Sequence, residues 1–125
     1  MATSFQTPPA ELTFREQQEA RRRIEISYET TVAVQELPLS HVAWEATPTA
    51  VLVTATDIDV LGEWLYVMRG SVTTVDLPSG QTVWTLHTTT WSDSPKFPPV
   101  PVHLSVVLPT DEPVMYEIRE AVRAA

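Results

Sequence analysis

The sequence predicts an α+β fold: a mostly antiparallel sheet of about four to five strands with helices packed on one face, compatible with a split-βαβ arrangement. Period-two hydrophobic alternation recurs in short runs bounded by Pro, Gly, Ser and Asp. Two other stretches carry helix caps and helical spacing. A strand-helix-strand-strand order from Ala50 to Trp91 joins the two patterns.

Residues 1–12 contain "TPPA" and no hydrophobic period, and read as a flexible tail ahead of one domain over 13–125. "TFRE" offers a capping box, with Thr13 as N-cap and Glu16 three residues on. A surface helix follows through "REQQEARRR". "IEISYETTVAV" then alternates, placing Ile24, Ile26, Tyr28, Thr30, Val32 and Val34 on one side, and reads as a strand over 24–34. A longer first helix, to about Leu37, competes, because Ile24, Tyr28 and Val32 are also spaced by four.

"HVAWEA" and Ala50–Ala55 read as two strands separated by Pro48. The clearest helix comes next. Thr56 or Asp57 caps it, Leu61, Trp64, Leu65 and Met68 form its apolar stripe, and Gly70 stops it. "SVTTVDL" and "QTVWTLHTTTW" flank "LPSG" and form a hairpin. On the second strand, Trp84, Leu86, Thr88 and Thr90 should meet the helices, with His87 on the solvated side. After the proline-rich "SDSPKFPPVP", Val100, Val102, Leu104, Val106 and Leu108 share one face of the last strand. Thr110 or Asp111 then caps a C-terminal helix with Pro113 in its first turn and a Val114, Ile118, Val122 stripe.

Composition narrows the function classes. The 125 residues carry a formal charge of -8 and contain no cysteine, which excludes disulfides, thiolate catalysis and Cys-ligated zinc. The acidic balance disfavours a phosphate backbone, so no nucleic-acid partner is expected. No secretory leader is evident and the longest apolar stretch is too short to span a bilayer, so the chain reads as cytoplasmic, without a membrane partner. Asparagine is absent and Lys96 is the single lysine. Both residues have AT-rich codons, which suggests the GC-rich genome of an actinobacterium or its phage.

Three glycines, Gly62, Gly70 and Gly80, cannot build a phosphate-cradling loop. No G-x-S-x-G element occurs. His41, His87 and His103 fall on three predicted strands without metal-ligand spacing, even with Asp93 or Glu45 added, and read as ordinary strand residues. Asp57, Asp59 and Glu63 cluster at a helix start, where they favour the helix dipole. Arg21, Arg22 and Arg23 suit a solvated face pairing with nearby glutamates. The P-x-x-P spacing of Pro98 and Pro101 reads as a stiff loop.

No catalytic, cofactor-binding or metal-ligating residue is therefore expected. The reading is a small acidic, non-enzymatic domain that binds another protein, in a regulatory or accessory role, with self-association such as a homodimer. Trp44, Tyr66 and Trp91 are the candidate interface residues, since aromatics anchor contacts. A phage virion component and an anti-defence DNA mimic are the alternatives.

Overall fold

The computed structural model describes residues 13–92, 95–96 and 98–122. The tail expected over 1–12 and the candidate Asp93 lie outside them. The chain order is α1 (Phe14–Gln35), β1 (Val42–Ala46), β2 (Val51–Ala55), α2 (Ile58–Met68), β3 (Ser71–Asp76), β4 (Gln81–Thr89), β5 (Pro101–Pro109) and α3 (Tyr116–Glu120).

The first helix corrects the strand expected over 24–34. The capping box at Thr13 and Glu16 forms with both bonds made, and the helix then runs 22 residues to Gln35. Nothing between Thr13 and Leu37 breaks it, since the segment holds neither Gly nor Pro. The helical period takes over: Ala20, Ile24, Tyr28, Thr31 and Val32 are buried, whereas Ile26 and Val34 face out. β-branched residues cost only a few tenths of a kcal/mol each in a helix, roughly, and packing along a spacing of four outweighs that. Glu36 ends the helix in the left-handed region at φ 52°, and the Leu37 N–H reaches back to the Val32 carbonyl.

The five strands form one sheet in the order β1-β2-β5-β4-β3. β1–β2, β5–β4 and β4–β3 pair antiparallel, and β2–β5 is parallel. β2 and β3, joined by α2, run in the same direction with β5 and β4 inserted between them. That is a split β-α-β unit widened by one strand. The sheet edge at β3 is partly covered, because the Val72 N–H donates to the Ala121 carbonyl and Val72 bridges Val122.

One sheet face builds the core. Val53, Leu104, Leu86 and Val72 lie in register across β2, β5, β4 and β3, and all are buried. α1, α2 and Ile118 of α3 pack on this side. The facing expected for β4 holds: Leu86, Thr88 and Thr90 are buried and Trp84 packs against the core. The C-terminal helix is shorter than expected. It spans five residues, has Met115 as an N-cap that makes no side-chain cap bond, and leaves Pro113 and Val114 outside any helix or strand. Among the described residues no helix is long and apolar enough to cross a membrane.

Thr31 ties α1 to the end of β4. Its hydroxyl donates to the Ser27 carbonyl at 2.8 Å and accepts the Trp91 backbone N–H at 2.9 Å. The side chain is fully buried. Thr31→Val keeps the shape and strands the Trp91 N–H, so chemical denaturation should show a loss of about 1–3 kcal/mol. Thr31→Ser, which keeps the hydroxyl, should recover most of it.

Candidate functional site

Two surfaces concentrate groups that could act outside the fold. The first is the sheet face opposite the helices. Three of its rows across the strands carry the groups of interest. Glu45, Leu52, His103, His87 and Ser71 make one row, and Ala43, Thr54, Ser105, Thr85 and Thr73 make the second. Val107, Val83 and Val75 make the third. Leu52, Val107 and Val75 are exposed. The polar members bond across strands: Thr85 and Ser105 hydroxyls lie 3.0 Å apart, and the Nδ1 atoms of His87 and His103 lie 3.1 Å apart. Thr73 Oγ1 meets His87 Nε2 at 2.8 Å. The two imidazoles stand nearly perpendicular, at 73°.

The second surface is a cleft of about 770 Å³ between α2 and the α3 segment. Leu65, Tyr66, Met115, Tyr116 and Ile118 form its apolar lining. Tyr66 is 76% and Tyr116 65% exposed, values far above those of the other tyrosine, Tyr28. Among the described residues, Asp59, Glu63, Glu117 and Glu120 rim the cleft, with Arg69 as the one basic lining residue; its guanidinium carbon lies 6.0 Å from the Tyr66 ring centroid. Gly62 lets the Met115 side chain approach α2 closely at the cleft; a Cβ added there would meet the Met115 methyl at 2.5 Å.

The three candidate interface residues do not share one surface. Tyr66 stands exposed on α2 beside Arg69. Trp44 is half-buried on β1, its ring 4.3 Å from Tyr28, which in turn lies 5.9 Å from Trp64 in a stacked arrangement. Trp44 thus joins an aromatic column binding α1, β1 and α2. Burial pushes the Tyr28 hydroxyl in this column up to about 12. The folded state favours the neutral phenol, so this contribution to stability is complete below pH 10 and is lost as pH rises through about 12. Trp91 is half-buried just past β4, anchored by its backbone to Thr31.

The remaining candidates have structural roles. His41 precedes β1 at φ 63°, and its carbonyl accepts the Thr56 N–H, away from the β4–β5 pair. Asp57 caps α2 by accepting the Asp59 N–H at 2.9 Å, and Asp59 follows in the first turn. Arg22 sits 3.8 Å from Glu25 on the surface of α1. Pro101 opens β5 and is not part of a free loop.

Sequence reasoning placed His87 and His103 outward but did not pair them. Alternation assigns a face; it does not assign which residue stands opposite which. Met115 and Tyr116 were missed as neighbours of Tyr66 because the C-terminal helix was drawn too long. Pro113 marked where a non-helical entry could replace a first turn. No family model, curated protein or solved structure matches this chain.

Proposed function

We propose that the chain is a non-enzymatic protein-binding domain, and that its α2–α3 cleft receives an apolar segment with basic flanks from another protein. The observation that carries this reading is the pairing of exposed aromatics, Tyr66 and Tyr116, with four carboxylates and one guanidinium, among the described residues, around a concave apolar floor. Tyrosines supply contact area at low conformational cost, and a ring of acids selects a cationic partner while excluding acidic ones. A second copy of this acidic chain is disfavoured at that cleft by like charge.

A second reading, self-association into a higher assembly such as a virion component, rests on the sheet edges. The backbone bonds of His41 to Thr56 and of Thr47 to Ala50, at the two ends of β2, set the parity of β1, so Val42, Trp44 and Ala46 direct their N–H and C=O groups away from the sheet. Among the described residues no backbone partner meets them. At the other edge Thr74 and Asp76 are placed likewise. Pairing β1 of one copy with β3 of the next would continue the sheet head to tail and generate a ring or filament.

Capture from an extract of the source cells, with the mass of the intact complex measured, separates these readings. A complex of this 14.0 kDa chain with a basic protein supports the cleft. A multiple of the chain's own mass supports the edges. A monomer alone contradicts both.

A further inference from the structure

We propose that His87 and His103 form a two-imidazole site for a divalent transition-metal cation, copper(II) in preference to zinc(II), on the helix-free face of the sheet. This departs from the absence of metal ligands expected from the sequence, and it stands independently of the protein-binding cleft.

The site follows from strand register. The Thr90 N–H donates to the Val100 carbonyl at 2.9 Å, which makes 90/100 a hydrogen-bonded pair. Alternation along β4 and β5 then makes His87/His103 a non-hydrogen-bonded pair, the position where opposing side chains of antiparallel strands come closest. The two Nδ1 atoms are already 3.1 Å apart. A cation held 2.0–2.1 Å from each nitrogen would subtend an angle of about 95–102° at that separation. That angle falls between the right angle of a tetragonal copper(II) site and the wider angle of tetrahedral zinc, and the preference for copper follows from the higher affinity of imidazole sites for copper(II) than for zinc(II). Turning the rings about χ2, a soft torsion, aims both lone pairs at one point above the sheet.

Thr73 supplies the outer support that metal-bound imidazoles need. With His87 protonated on Nε2, that N–H donates to Thr73 Oγ1 at 2.8 Å and leaves the Nδ1 lone pair free. Without metal, the proton on His103 Nδ1 occupies the gap. When a cation enters, His103 carries its proton on Nε2 instead, so both imidazoles stay neutral and no net proton is released. Among the described residues no helix packs over this row, in which Ser71 lies beside His87 and the exposed Leu52 beside His103. Among the described residues no third His, Cys, Asp or Glu completes a cluster, so water fills the remaining positions.

The test is titration of the full chain with copper(II) chloride and, separately, zinc chloride, read by calorimetry and by electron paramagnetic resonance of the copper form. The expected result is one copper per chain with two imidazole nitrogens in the spectrum, bound more tightly than zinc. His87→Gln and His103→Gln should each weaken copper at least tenfold, and Thr73→Val about tenfold through loss of the outer bond. His41→Gln should leave binding unchanged. The glutamine variants lie on the open face and should melt as wild type without metal, so a loss of binding is not a loss of fold. Copper affinity unchanged in both His87→Gln and His103→Gln, or a spectrum with one nitrogen ligand, overturns the proposal.

Discussion

Trp64→Ala should remove about 3–5 kcal/mol of stability, the range for deleting a large buried aromatic. Trp64 is fully buried and lies at the junction of three elements. It sits on α2, stacks with Tyr28 of α1, and belongs to the core cluster that includes β-strand residues Val53, Leu104 and Leu86. Its truncation opens a void that no single neighbour can fill. One detail sharpens the prediction. The indole N–H of Trp64 is buried without a hydrogen-bond partner among the described residues. Such a donor carries a desolvation cost of about 1–3 kcal/mol. Trp64→Phe removes that donor while keeping a ring against Tyr28, so it should lose less than half of what the alanine variant loses. Urea titration of both variants checks the pair. Equal losses would mean that the phenyl ring recovers none of the packing and that removing the unpaired donor brings no gain.

Gly70→Ala is expected to cost about 2–4 kcal/mol, combining backbone strain with an overpacked contact. Gly70 has φ 131°, a region open to glycine and strained for other residues. A Cβ there would lie 2.3 Å from the His87 carbonyl oxygen and 3.1 Å from the Thr88 Cβ. β4 is paired on both sides, to β3 and β5, so its backbone cannot move aside. Gly80, in the β3–β4 turn, provides the comparison. It also has positive φ, at 86°, yet a Cβ there meets nothing within 4 Å. Gly80→Ala should show the strain without the clash and lose clearly less. Thermal melting of the two variants measures the difference, and equal losses would remove the contact with β4 from the explanation.

The sheet was legible in the sequence because its strands alternate cleanly and its turns carry their own chemistry. Ser71–Asp76 and Gln81–Thr89 came directly from "LPSG" and the β-branched runs on either side. α2 was legible from Asp57, the Leu61–Trp64–Leu65–Met68 stripe and Gly70. The 24–34 segment misled because Ile24, Tyr28 and Val32 satisfy both periods at once. Only the burial of Thr31 and the exposure of Ile26 and Val34 distinguish the two, and neither can be read without knowing what packs above. The C-terminal helix misled differently. Thr110, Asp111 and Pro113 imitate a helix start, but the Thr110 N–H continues the β5 ladder to the Gly80 carbonyl and its hydroxyl accepts from Thr82, so the chain stays with the sheet there. Both candidate surfaces were harder to read. Tyr66 stood out as an aromatic off the apolar stripe, whereas its neighbours Met115 and Tyr116, and the pairing of His87 with His103, depend on tertiary register.

The cleft reading is tested most directly by the affinity of its partner for wild-type and Tyr66→Ser protein, measured by calorimetry once the partner has been captured. Tyr66 contributes nothing to the core, so the variant should unfold at the wild-type temperature. A central aromatic in an interface commonly costs 2 kcal/mol or more, roughly, when truncated. The account therefore predicts at least tenfold weaker binding, with a further loss as salt screens the carboxylates around the cleft. Equal affinity for the two proteins would contradict it.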